Sequence, residues 1–98
     1  MFEIIKSSSF ERWFLSLKDR GTKARIQARV DRLALVNPGD VKIVRDGIHE
    51  MRVDCGPGYR IYYIHKGPLV IVLLVGGDKS SQDSDIERAI TLANNWQE

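Results

Sequence analysis

One cysteine, three prolines and two histidines are all this 98-residue chain holds of the residues that most often staple, break or ligate a fold. A single thiol, Cys55, excludes an intramolecular disulfide and offers no metal cluster. His49 and His65 stand apart, with no carboxylate or cysteine at metal-ligand spacing. Long hydrophobic runs are also missing. The longest, "PLVIVLLVGG", has seven consecutive large aliphatic residues, against the roughly 20 that a membrane-spanning helix needs. The opening "MFEIIKSSS" lacks the basic start and apolar stretch of a secretory leader. The expected compartment is therefore the cytoplasm, with no membrane partner. Charge of one sign is scarce overall, the net being +2, so no class of partner follows from the total alone.

What is present reads as one ordinary globular domain, residues 1–98, with a core too small to divide. Its charges are segregated. From Lys18 to Arg32 six basic residues (Lys18, Arg20, Lys23, Arg25, Arg29, Arg32) face two acidic ones, whereas from Asp78 onward five acids outnumber Lys79 and Arg88. One part of the surface is thus cationic and suited to a polyanion or an acidic protein. A solvated helix face explains the same charges.

Hydropathy patterning supplies the elements. Phe2 to Lys6 is apolar and β-branched and predicts an opening strand. Phe10, Trp13, Phe14 and Leu17 fall on one helical face that starts near Ser8 or Ser9, with Gly21 in "DRG" as its expected cap. A second helix is expected from Thr22, burying Ile26, Val30 and Leu33. The turn "NPGD" then leads into a meander of strands. Two of them meet at Asp46-Gly47, the dipeptide of type I′ hairpins; the others are Tyr59 to Lys66 and Leu69 to Val75. Ser84 and Glu87, at capping-box spacing, open a last helix that reaches about Asn94. The expected fold is α+β, in the order β-α-α-β-β-β-β-α, an antiparallel sheet with helices packed on one face.

Period-two alternation then assigns faces. Met51 and Val53 suit the core, which points Glu50 and Arg52 outward. In "CGPGYRIYYIHK" a buried, unpaired Arg60 would be costly, so Arg60 and Tyr62 are expected outward beside Arg52. Two guanidiniums and a phenol on an open sheet face would suit a phosphodiester, because the planar fork of arginine matches phosphate oxygens two at a time. The competing account pairs Arg52 with Glu50 or Asp54 and leaves Arg60 in water. The loop "GGDKSSQDSD" adds Lys79, Ser80, Ser81 and Gln82 before a helix N-terminus, although Asp78, Asp83 and Asp85 would repel an anion there.

Two motifs carry a resemblance. "E-x-R-x-D-x-G-P-G-Y-R-x-Y" runs from Glu50 to Tyr62, and "L-L-x-G-G-D-K-S-S-Q-x-x-D-I" from Leu73 to Ile86. Together, at this separation, they resemble the phage-derived, HigB-type addiction-module killer proteins of the RelE/ParE toxin superfamily, over essentially the whole chain. The resemblance implies a RelE-like fold and a toxin of a type II toxin–antitoxin module. Its expected activity is metal-independent, cofactor-free endoribonucleolytic cleavage of mRNA on the ribosome, by attack of the RNA 2′-OH on the adjacent phosphate. The implied partners are mRNA, ribosomal RNA and a cognate helix-turn-helix antitoxin.

Carried over to this chain, Arg60 would stabilise the phosphorane, Arg52 would hold the phosphate and Lys79 would neutralise the leaving oxygen. Gln82 and Tyr62 would contact RNA, and Lys23, Arg25, Arg29 and Arg32 would dock on ribosomal RNA. Relatives carry a tyrosine or histidine near the start of the last helix, where this chain has Gln82, Asp83 and Ser84. Glu50 replaces a basic residue of some relatives and is the candidate general base. The missing tyrosine or histidine also admits a ParE-like poison of DNA gyrase without nuclease activity, or a degenerate module that only binds antitoxin.

Overall fold

Ser7 joins two layers of the molecule. Its hydroxyl accepts from the Phe10 N–H at 3.0 Å and donates to the Leu74 carbonyl at 2.6 Å. One buried side chain therefore caps a helix and ties it to the sheet. The computed structural model describes residues 1–96. In chain order the elements are β1 (Glu3–Lys6), α1 (Ser8–Ser16), α2 (Arg20–Ala34), β2 (Val41–Arg45), β3 (Ile48–Val53), β4 (Tyr59–Lys66) and β5 (Val70–Asp78), then a 3₁₀ turn (Lys79–Ser81) and α3 (Gln82–Asn94). Among these described residues no helix is long and apolar enough to cross a membrane.

The five strands form one sheet in the order β1-β5-β4-β3-β2. Pairing is antiparallel throughout β2 to β5, but β1 runs parallel to β5. The sheet is thus mixed, not antiparallel as expected. Strand orientation is legible where a hairpin joins two strands, and no hairpin joins β1 to β5. The helices also differ from expectation, because they cover both faces. Phe10 of α1 and Ile26, Val30 and Leu33 of α2 pack on Met51, Ile61, Tyr63, Ile71 and Leu73. On the other face Ile86 and Ala89 of α3 pack on Ile48, Tyr62, Ile64, Val72 and Leu74. This explains why β5 is apolar at successive positions: neither side of it meets water.

Local chemistry sets the boundaries. Asp19 caps α2, its Oδ2 accepting from the Thr22 N–H at 2.9 Å and from the Thr22 hydroxyl at 2.8 Å. The helix accordingly begins at Arg20, two residues earlier than expected. Gly21 lies in its first turn, not in a left-handed cap after α1. Asp46 and Gly47 both have positive φ, 52° and 78°, as the type I′ turn requires. At the other end, α3 starts at Gln82, and Ser84 bonds back to the Ser81 carbonyl at 3.1 Å instead of opening the helix.

The paired glycines of β5 serve close approach. A Cβ on Gly76 would fall inside the indole of Trp13 from α1, and one on Gly77 would collide with the Asp85 carboxylate of α3. Neither needs positive φ. Helices thus press on the same stretch of strand from both sides. Gly77→Ala is expected to lower the unfolding free energy by about 2 kcal/mol through overpacking, read as a fall in the urea midpoint. Gly21→Ala, whose added methyl meets only Asp19 Oδ2 at 3.4 Å, is expected to hold or raise the midpoint, since alanine is favoured over glycine within a helix.

Candidate functional site

Cross-strand register builds the site. Arg52 lies opposite Arg60, and Glu50 opposite Tyr62, on adjacent antiparallel strands. With a period of two, all four side chains share the face that carries α3. The arrangement of Arg52 and Arg60, open in the sequence, is therefore direct adjacency.

Glu50 is the hub and is wholly buried. Its Oε1 faces Arg52 Nε at 3.2 Å and Lys42 Nζ at 4.0 Å. Its Oε2 accepts from Gln82 Nε2 at 2.8 Å and has Arg60 Nε at 3.6 Å. Donors from β2, β3, β4 and α3 thus converge on one carboxylate. This corrects the expectation that Glu50 points outward: enough donors surround the charge for it to stay inside. One carboxylate answers three cations here, so the cluster keeps an excess of positive charge.

Arg60 is on the predicted side, yet only 12% of its side chain is exposed, against 40% for Arg52. Its Nη1 donates to the Gly58 carbonyl at 3.4 Å, while the buried Nε has no hydrogen-bond partner among the described residues. Gly58, at φ 84°, sits between Arg60 and Lys79: a Cβ there would meet Arg60 Nη1 and Lys79 Cβ, each at 3.9 Å. Lys79 is exposed and, among the described residues, has no ion-pair partner. Its neighbour Asp78 is occupied by Ser80, whose N–H and hydroxyl donate to Oδ1 at 2.8 and 2.5 Å. These bonds hold the Asp78 carboxyl below its usual range. Asp85, which the expectation treated as repulsive to an anion, is buried against Gly77 and takes the Ser81 hydroxyl at 2.5 Å.

Tyr62 corrects a second expectation. It is wholly buried beneath α3 rather than offered to a base, and its hydroxyl has no hydrogen-bond partner among the described residues. Burial, then the negative charge of Glu50, pushes its phenol well above the ordinary value. Gln82 is present, but its amide is spent on Glu50. The basic residues of α2 lie across the sheet from Arg60. Arg25 Nη1 donates to the Asp54 carbonyl at 3.3 Å, and Arg29 donates to the carbonyls of Arg52 and Pro38. Lys23 stands 5.9 Å from the Phe14 ring centre. Arg25, Arg29 and Arg32 line a cleft of about 300 Å³ with Val53 and Asp54, separate from the Glu50 cluster.

Lys42 was missed in the sequence. It reaches Glu50 because a bulge between Ile43 and Arg45 shifts the hairpin register, pairing Lys42 with Glu50. No three His, Cys, Asp or Glu side chains converge as a metal site among the described residues. What the cluster can do is bind an anion: two adjacent guanidiniums with incomplete neutralisation favour two-point contact with oxyanions.

The chain matches no protein-family model. It is 46% identical over 91 residues to an uncharacterized protein of Haemophilus influenzae, an alignment covering 93% of this chain and 92% of that protein.

Two outcomes follow from the geometry. Glu50→Ala would strand Arg60 without its counter-ion and is expected to cost about 3 kcal/mol of stability, measured by chemical denaturation. Burial also pushes the Tyr63 phenol from its ordinary 10.0 up to about 12. A raised folded-state pKa means the unfolded chain ionises first, so stability present below pH 10.0 is lost as pH climbs toward about 12. Urea titrations across that range should show the decline, and Tyr63→Phe should reduce it.

Proposed function

The chain belongs to the same family as that Haemophilus influenzae protein, and from the cluster on its β3–β4 pair we propose that it is a RelE/ParE-type toxin that cleaves RNA. The observation that carries this reading is the adjacency of Arg52 and Arg60 around a single shared carboxylate, with Lys79 beside them. In the reaction the RNA 2′-OH attacks the adjacent phosphorus and the bond to the 5′ oxygen breaks, leaving a 2′,3′-cyclic phosphate and a 5′-OH. Charge accumulates on the phosphoryl oxygens. Arg60 and Arg52 oppose it at the equatorial oxygens, and Lys79 opposes it at the leaving oxygen.

The buried position of Glu50 supports a role distinct from the one its sequence position suggested. It orients the two guanidiniums and limits their repulsion, as a counter-ion instead of a base in contact with the 2′-OH. The cationic cleft of α2 suits ribosomal RNA, which supports a reading in which the substrate is translated mRNA. A helix-turn-helix antitoxin would hold the toxin inactive in the module we propose.

One observation favours a second reading. Glu50 is enclosed, and Gln82, Asp83 and Ser84 stand at the start of α3 in place of a tyrosine or histidine. A ParE-like gyrase poison needs neither. Brief induction followed by sequencing of RNA ends separates the two: cyclic-phosphate ends on messages support cleavage, whereas intact messages with a DNA-damage response support gyrase. In the first case Arg60→Ala is expected to lower cleavage by about 100-fold while remaining folded by circular dichroism. Undiminished cleavage by that variant would remove Arg60 from the site.

A further inference from the structure

His49 and His65 stand well apart in the chain, yet strand pairing puts them side by side. His49 of β3 lies opposite Tyr63 of β4, so His65, two residues further along β4, is its diagonal neighbour on the same face. Tyr63 packs with the residues of α1 and α2, so the pair lies on the other face of the sheet from Arg52 and Arg60. The imidazole centres are 5.0 Å apart, with their planes inclined at 66°. Two imidazoles that bind one ion through nitrogens at about 2.0–2.1 Å hold their ring centres roughly 4.5–5.2 Å apart. The observed spacing already suits a shared ion.

The surroundings favour ligation. His49 Nδ1 is 3.3 Å from the Gly47 carbonyl. A carbonyl can only accept, so the proton sits on Nδ1 and the free lone pair on Nε2, as in histidines that ligate metals. Both rings are braced: Tyr63 stacks on His49 at 5.0 Å, and Phe2 meets His65 edge-on at 5.2 Å. Burial, then the neighbouring His49, holds the His65 imidazole below its ordinary value, which favours the neutral, ligating form. His65 is exposed and His49 half-buried, and both line a cavity of about 430 Å³ with room for an ion and its waters. Lys42 also lines this cavity, but its ammonium lies 4.0 Å from Glu50.

We propose that His49 and His65 form a binding site for a divalent transition ion of the zinc or copper type, with water completing the coordination. Imidazole suits zinc, copper and nickel, whereas calcium and magnesium take oxygen donors, and no carboxylate lines the cavity among the described residues. A bound ion would clasp β3 to β4. Two protein ligands make an exchangeable site, unlike the closed four-ligand shell of a structural zinc. The site lies apart from the Glu50 cluster, so it stands or falls independently of the RNA reading.

The test titrates the untagged, full-length protein with zinc chloride by calorimetry. One equivalent should bind. His49→Ala and His65→Ala should each weaken binding by about tenfold or more, since even an outer-shell partner of a ligand is worth that much. Cys55→Ser, which removes the single thiol, should leave binding unchanged. In the wild-type protein, nitrogen NMR should show zinc shifting the His49 Nε2 resonance while Nδ1 stays protonated. Binding undiminished in the double variant His49→Ala, His65→Ala overturns the proposal, as does zinc bound with both imidazoles unperturbed. So does a wild-type protein that takes up no zinc at millimolar concentration. If the alanine variants do not fold, the imidazole resonances of the wild-type protein decide alone.

Discussion

A carboxylate without solvent contact stays charged in a protein interior only when donors surround it, and the arrangement around Glu50 meets that condition from four elements at once. Lys42 arrives from β2, Arg52 from β3, Arg60 from β4 and Gln82 from α3. The consequence runs in both directions. Those donors make burial of Glu50 tolerable, and Glu50 makes it possible for two guanidiniums to lie side by side on neighbouring strands. Remove the carboxylate and the arginines repel; add a second and the positive excess that could hold an anion is halved.

Close packing of α3 supplies the rest of the geometry. Gly77 is opposite Arg60 in the β4–β5 register and directly beneath Asp85. The absent Cβ thus lets α3 begin close to the sheet, which brings Gln82 to Glu50 and seals Tyr62 underneath. On the opposite face Gly76 admits Trp13, whose ring lies 6.0 Å from that of Tyr59 at the start of the arginine-bearing strand. The ion pair between Arg45 and Glu87 links the β2–β3 hairpin to the same helix. The site is held by rigid elements, the condition under which charged groups can be pre-oriented without cost at the moment of binding.

The arginines of α2 illustrate a division of labour. Arg29 satisfies carbonyls of Arg52 and Pro38, and Arg25 that of Asp54, so part of the cationic helix stitches the end of β3 to the turn before β2. A cluster that composition marks as a polyanion surface therefore also closes open ends of the sheet. The two roles coexist because a guanidinium has several donors in a fork and one carbonyl occupies few of them.

Much of this was determined by the sequence alone. Alternation placed Arg52, Arg60, Tyr62 and Glu50 on one face, the Asp46–Gly47 turn defined the hairpin, and helical spacing located three helices close to their true bounds. Those are local properties, set by side-chain period and backbone dihedral preference. Whether that face was open, however, depended on where α3 returned, and nothing local to β3 or β4 reports that. Counting back from a regular two-residue turn sets Ile43 against Glu50 and sends Lys42 to the other face. The bulge at Val44 reverses this, and only the folded sheet reveals it. The burial of Arg60 was likewise hidden, because the rule against burying an unpaired guanidinium holds only until a partner is known. That partner lies ten residues away in the chain and is brought beside it by strand pairing, a long-range contact that the tertiary structure alone decides.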